Sequence, residues 1–199
     1  MKIEKLDLNK NITLYKLKYD WKIPKKNLID KIYKNLKIAG IQPGQNVSNV
    51  ILKCQEFKEI HNIAFEVCKS LVEIVDNDYI DDNFIYLQNA QTKYSHNKEF
   101  HNHTTSLTKK QPIKNDWTYC FYLQLPKNIS ADDGKISFKD DNENIVMYTP
   151  EEGEFIFFKA EENHTPNQTP HAECDRISIV GVFAFNVSTK LNNKYKSVI

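Results

Sequence analysis

The hydrophobic pattern of this chain changes its period near residue 80, and this change limits the possible folds more than any other feature. Before it, an alternating run over residues 12–17 predicts a strand, and apolar residues then recur at helical spacing after Pro24 and over residues 50–75. After it, short β-rich runs alternate with clusters of Asn, Asp, Gly and Pro; the runs lie at residues 84–87, 117–125, 135–138, 154–158 and 176–186. This order predicts an α+β domain, with helices packed on one face of a β-sandwich or barrel.

Length and charge limit the classes of protein that fit. A chain of 199 residues that is 40% hydrophobic and 27% charged can bury one core of ordinary size, so we expect a single domain over residues 1–199. The net charge is +1, and the Lys residues are spread among nearly as many acidic ones, so a nucleic-acid partner is not expected. No apolar run approaches the roughly 20 residues of a membrane span, so no membrane partner is expected either.

Two further observations favour a cytoplasmic protein. The first eleven residues are charged and contain no apolar h-region, so the sequence predicts no secretory signal. The four cysteines, at positions 54, 68, 120 and 174, are too far apart in sequence for a Cys-x-x-Cys motif and are expected to be reduced thiols.

Three histidines in the second half of the chain could form a metal site. His101 and His103 make a His-x-His triplet, and on a strand both rings would project to one face because side chains alternate. Imidazoles that share a face are a common start of a metal centre. His164 is the best candidate for a third ligand, because it follows the apolar run 154–158 and could end a neighbouring strand. The alternative is that the polar segment 95–105 is a loop with two exposed histidines.

The chain contains a single arginine. Lys and Arg together number 27, and all of them except Arg176 are Lys. A planar guanidinium can hold a carboxylate through two parallel hydrogen bonds, which an ammonium group cannot do. On a strand, Ser178 would share the face of Arg176. The single guanidinium is therefore a candidate for a specific role, and a surface salt bridge is the alternative.

The order of these elements resembles that of the iron(II)- and 2-oxoglutarate-dependent oxygenases, in particular their prolyl-hydroxylase-like and phage-associated branches. The features that carry the resemblance are His101-Asn102-His103, the run ending Phe121-Tyr122-Leu123, the Gly-led run at 134–138, His164 after the run 154–158, and Arg176-Ile177-Ser178. The resemblance implies a double-stranded β-helix, or jelly roll, as a catalytic core over residues 84–188. Residues 1–80 would supply supporting helices packed on its larger sheet, and residues 191–199 a loose tail.

The resemblance also implies a hydroxylase whose cofactors are Fe(II), 2-oxoglutarate as cosubstrate, and O2. Arg176 would bind the far carboxylate of 2-oxoglutarate, with a further hydrogen bond from Ser178. Tyr122 stands where related hydroxylases place a Tyr before a Leu to complete this pocket. Thr118, four residues earlier, shares the face of Tyr122 and would line the same pocket.

One position departs from the family pattern, in which a carboxylate follows the first His ligand by two residues. This chain has His103 there. Three interpretations stay open: His101, His103 and His164 form a three-histidine site; Glu99, on the same face of a regular strand, supplies the carboxylate; or the protein is an inactive relative without metal. A three-histidine site lacks one negative charge and should hold Fe(II) less tightly, and its nitrogen ligands leave Mn and Cu open as alternatives.

The sequence leaves the substrate open between a protein side chain and a small molecule. Two other functions fit the same motifs. One is a three-histidine cupin-type dioxygenase that does not use 2-oxoglutarate, and the other is a non-enzymatic jelly roll with a structural or binding role. The polar stretch 104–116 is expected to form a rim or lid over the site.

Overall fold

The computed structural model describes residues 2–39, 55–72, 79–88, 100–103, 116–127, 134–167 and 173–185. The helices and strands of these residues are, in chain order, β1 (Glu4–Asp7), β2 (Thr13–Lys18), α1 (Lys25–Ala39), α2 (Gln55–Ser70), β3 (Tyr79–Gln88), β4 (Asp116–Gln124), β5 (Ile136–Lys139), β6 (Ile145–Tyr148), β7 (Glu154–Lys159), β8 (Asn163–Pro166) and β9 (Arg176–Phe185). Neither of the two described helices is long and apolar enough to cross a membrane.

The strands form two antiparallel sheets. The larger has six strands in the order β1-β2-β7-β4-β9-β3, and the smaller has three in the order β6-β5-β8. An antiparallel bridge between His101 and His164 extends the smaller sheet beyond β8; the two backbone N–H···O distances are 3.0 and 2.9 Å. The prediction of helices followed by a β-rich region is confirmed for the described residues, and the structure adds that the strands pair antiparallel.

Both helices pack on one face of the larger sheet. Their buried residues recur at helical spacing, as in Leu28 and Ile32 of α1 and Ile60, Ala64 and Val67 of α2. The sheet side is rich in aromatic residues. This outer core consists of Leu17, Tyr19, Leu28, Ile32, Phe57, Ile60, Ala64, Val67, Cys68, Ile85, Leu87, Trp117, Tyr119, Phe121, Leu123, Phe155, Phe157, Ile177, Ile179, Phe183 and Phe185. The expectation that the helices support the larger sheet is thus met.

The other face of the larger sheet packs against the smaller sheet. This inner core consists of Ile12, Leu14, Cys120, Tyr122, Ile136, Phe138, Ile156, Phe158 and Val180. Because side chains alternate along a strand, the even-numbered residues of β4 and β9 face the inner core and the odd-numbered ones face the helices. Both strands are therefore buried on both faces, which explains their nearly continuous apolar sequences.

Three strands and one helix end differ from the sequence-based expectation. β1, β6 and β8 were not predicted, and each has only four residues. β1 and β8 are largely polar, so tertiary pairing forms them, whereas the short apolar run of β6 has a strand composition that was missed. The apolar stripe predicted a helix to residue 75, but α2 ends at Ser70. Leu71 and Val72 still pack against the outer core from the turn that follows. The predicted tail at 191–199 lies outside the described residues.

Gly181 occupies the middle of β9, in register with Asn83 of β3 and Tyr119 of β4. The Tyr119 hydroxyl donates a hydrogen bond to Asn83 Oδ1 over 2.8 Å, and a Cβ added at Gly181 would collide with both side chains. A glycine in a strand interior is explained here by the close approach of these two neighbours.

Gly181→Ala should therefore lower the free energy of unfolding by about 1–3 kcal/mol, the usual cost of overpacking. Urea denaturation measures the change. In the Asn83→Ala background, where one of the two colliding groups is gone, the same substitution should cost less than it does in the wild type. An unfolding midpoint of Gly181→Ala equal to that of the wild type would contradict this packing.

Candidate metal centre and carboxylate pocket

Three imidazoles converge where the smaller sheet meets the His101 segment. His164 lies on β8; His101 is bridged to it, and the His103 amide donates a hydrogen bond to the Ala160 carbonyl over 2.8 Å. One ring nitrogen of each histidine lies within 4.8 Å of the others, and the ring centroids are 4.5–5.2 Å apart. His101 is exposed, His103 half-buried and His164 buried, so the cluster opens to solvent on the His101 side.

Two nitrogen atoms of this cluster already have the spacing of ligands to one metal ion. The Nε2 atoms of His103 and His164 are 3.1 Å apart. Two nitrogens bound at right angles, each ~2.1 Å from an ion, would be about 3.0 Å apart. His164 Nδ1 donates a hydrogen bond to the Glu162 carbonyl over 2.9 Å, which places the proton on Nδ1 and leaves the Nε2 lone pair for an ion. An all-imidazole donor set of this kind fits a divalent transition metal.

Burial keeps the two inner imidazoles neutral. The His164 ring packs against Phe158 and Phe138, with centroids 4.8 and 6.0 Å away, and Phe84 lies 6.1 Å from the His103 ring. Burial, with a smaller contribution from His neighbours, lowers the pKa of His103 to about 4 and the pKa of His164 well below its ordinary value. Neutral imidazole is the form that binds metal, so both rings are in that form at neutral pH.

Arg176 is buried at the start of β9, with 1% of its surface exposed. Its Nη1 donates hydrogen bonds to the carbonyls of Lys135 and Asn167, at 3.4 and 3.3 Å, and its Nε has no hydrogen-bond partner. The alternative of a surface salt bridge is wrong, because the side chain does not reach the surface. Among the described residues no carboxylate pairs with this guanidinium, and a buried cation is costly unless an anion pairs with it.

Two further polar side chains lie beside this guanidinium. The Tyr122 ring is 5.3 Å from the guanidinium carbon, and Ser178 is the register partner of Tyr122. The Tyr122 hydroxyl is buried without a hydrogen-bond partner, and burial raises its pKa above the ordinary range. It is therefore a neutral donor at any physiological pH. Arg176, Ser178 and Tyr122 together form a buried group of hydrogen-bond donors at the place where the resemblance implies a bound carboxylate, and we call this group the carboxylate pocket.

Thr118 faces the same inner core but lies in a different part of it. It is four residues from Tyr122 along β4, or about 13 Å. Its register partner on β7 is Phe158, which packs on His164, so Thr118 lies nearer the imidazoles than the carboxylate pocket. Its hydroxyl is fully buried without a hydrogen-bond partner. The expectation that Thr118 lines the same pocket as Tyr122 thus holds for its face but not for its position.

The structure brings together His101, His103 and His164, as the sequence predicted; their binding of a metal stays a prediction. Within the part of the chain that the structure describes, no carboxylate joins this cluster. Glu99 lies outside the described residues, and so do residues 104–115 of the expected rim. Sequence reasoning missed the aromatic walls of the cluster and the Glu162 carbonyl, because nothing in their spacing to the histidines distinguishes them from ordinary strand and turn residues.

Comparison with known proteins gives a likeness of fold. Neither protein-family models nor curated proteins match the sequence. Among solved structures, a prolyl-4-hydroxylase from Pseudomonas putida has a TM-score of 0.50 and 10% identity, over 87% of this chain and 92% of that one. The viral collagen prolyl hydroxylase of Paramecium bursaria Chlorella virus-1, in a 2-oxoglutarate complex, has a TM-score of 0.53 and 15% identity. This match covers 84% of this chain and 94% of that one. At such identities the likeness concerns the fold alone.

The pKa values of the imidazoles predict how the metal-free protein responds to acid. The pKa of His103 is about 4 in the folded protein and near its ordinary value of 6.5 when unfolded, so the unfolded chain binds more protons between these values. Stability should fall as the pH falls through this range, by up to about 3 kcal/mol from His103 alone. Urea denaturation at several pH values, with a chelator present to keep the protein free of metal, measures this change in stability. His103→Gln should flatten the pH dependence, and an unchanged slope would contradict the burial described.

Proposed function

We propose that this protein is an iron(II)- and 2-oxoglutarate-dependent oxygenase, built on a double-stranded β-helix, that hydroxylates a protein side chain or a small molecule. The order of motifs and the likeness of fold to two prolyl hydroxylases support this proposal. The observation that carries it is the burial of the only arginine of the chain, 1% exposed, on the same inter-sheet face as the walls of the imidazole cluster.

In this proposal, His101, His103 and His164 hold the iron. Three protein ligands leave three positions of an octahedral ion open to other molecules. The chemistry that iron(II) supplies when bound is the reduction of dioxygen, coupled to decarboxylation of the 2-oxo acid to succinate and to hydroxylation of the substrate. The Glu162 carbonyl orients the His164 ring, and the walls of Phe138 and Phe158 keep water from its buried side.

The carboxylate pocket would hold the far end of the cosubstrate. Arg176 contacts the carbonyl of Asn167, which is three residues from His164, or about 10 Å along the chain direction of β8. A five-carbon diacid, bound to the ion at one end and hydrogen-bonded at the other, bridges about 10 Å in all. The length of 2-oxoglutarate therefore agrees with the separation expected from the chain spacing.

Cys120 lies between Thr118 and Tyr122 on the inner face of β4, where a thiolate would compete with both the metal ligands and the carboxylate. Burial raises the pKa of its thiol to about 12. Cys120 therefore stays protonated and acts as a small apolar wall of the cavity.

A three-histidine cupin-type dioxygenase is the second candidate, and the absence of a carboxylate from the described imidazole cluster favours it. Such an enzyme would leave the buried Arg176 without an anion to bind. Succinate formation that depends on 2-oxoglutarate, measured in the absence of O2 and in its presence, separates the two candidates.

The metal-binding role predicts that His164→Ala weakens the binding of Fe(II) by more than about 100-fold, since loss of an outer hydrogen-bond partner alone costs 10–100-fold. Metal content after anaerobic dialysis measures it. His61→Ala is the matched control, because His61 lies on α2 and bonds Asp81, away from the cluster. Equal iron content of His164→Ala and the wild type would show that the ion binds elsewhere.

The carboxylate-binding role predicts that Arg176→Lys weakens 2-oxoglutarate binding by roughly 10–100-fold, because an ammonium cannot make the paired hydrogen bonds. Tyr122→Phe removes one donor and should have a smaller effect. Both variants should retain the iron content of the wild type, which serves as the control for folding. The binding constant from anaerobic titration is the measurement, and unchanged affinity in Arg176→Lys would exclude the role.

A further inference from the structure

The three-histidine cluster carries an inference about metal selectivity, which rests on the metal-binding role proposed above. We propose that this site has the metal preference of a centre whose protein ligands are all imidazoles. It would bind borderline ions such as Fe(II) and Co(II) in preference to Mn(II), which suits oxygen ligands, so that Mn(II) becomes the least favoured of the ions that the sequence left open.

The first support is the chemistry of the donors. Imidazole nitrogen suits iron, nickel, copper and zinc, whereas carboxylate and carbonyl oxygens suit magnesium, calcium and manganese. Every ligand atom of the described cluster is an imidazole nitrogen, and these atoms lie within 4.8 Å of one another. A carboxylate in place of His103 would therefore change both the charge of the site and the hardness of its ligands.

The second support is the surroundings of the ligands. His164 Nδ1 donates to a backbone carbonyl, that of Glu162, so no carboxylate is hydrogen-bonded to this ring. Phe138 and Phe158 cover the His164 ring, and Phe84 lies beside His103. Among the described residues, these contacts of His164 and His103 add no negative charge to the two inner ligands.

The third support is the register of the triplet, which supplies a matched pair of variants. Asn102 is exposed on the opposite face of the segment, where its side chain contacts Asn163 Oδ1 at 3.4 Å. A carboxylate at position 103 enters the cluster, whereas one at position 102 changes the net charge equally but stays outside.

Selectivity can be measured by equilibrium dialysis of the untagged, metal-free chain against Co(II) and Mn(II), with bound metal determined by elemental analysis. A polyhistidine tag must be absent because it would bind the same ions. His103→Asp should lower the preference for Co(II) over Mn(II) by about tenfold or more, because it adds a hard, charged ligand. Asn102→Asp should leave the preference as in the wild type.

His101→Asp is a second test at the exposed ligand, in case the buried position tolerates a carboxylate poorly, and it should shift the preference in the same direction. A preference that is unchanged in both ligand variants overturns the inference while leaving the metal-binding role standing. The inference is also overturned if Glu99→Gln weakens Mn(II) binding, because a carboxylate would then complete the site. If the wild type binds neither ion, the proposed function fails as well.

Discussion

The placement of polar side chains on the inner faces of β4 and β9 is the constraint on which the rest of the site depends. These two neighbouring strands lie inside the larger sheet, not at its edge, and are buried on both sides, between the helices and the smaller sheet. Apolar side chains would stabilise such strands most. Instead Arg176 and Tyr122 keep buried polar atoms without hydrogen-bond partners. Unsatisfied buried groups cost about 1–3 kcal/mol each, and a ligand that pairs with them recovers this cost.

The position of the imidazole cluster follows from strand pairing. The bridge between His101 and His164 sets the register of the triplet against β8, and alternation then turns His101 and His103 to one side and Asn102 to the other. A slip of one residue would turn Asn102 towards His164 and break the cluster. The smaller sheet thus determines the geometry of the ligands, and the larger sheet supplies the carboxylate pocket.

Much of this arrangement could be predicted from the sequence, because the elements concerned have strong local patterns. The single Arg176 and the spacing of the His-x-His triplet identified the two groups that the structure buries or brings together. β8 was missed, although it carries His164, because Asn-His-Thr-Pro has no strand pattern of its own and pairs only in the folded protein. The closeness of Thr118 to the imidazole cluster was also beyond sequence reasoning, since it depends on the register that pairs Thr118 of β4 with Phe158 of β7.

The central claim is that three imidazoles and one buried guanidinium hold the two ends of one metal-bound diacid. A crystal structure of the protein grown under nitrogen with Fe(II) and 2-oxoglutarate, with the iron located by anomalous scattering, tests it most directly. The account predicts one ion about 2.1 Å from a nitrogen of each of His101, His103 and His164, with the far carboxylate of the diacid within about 3 Å of Arg176. An iron peak away from these histidines, or a diacid that leaves Arg176 without a carboxylate, would contradict it.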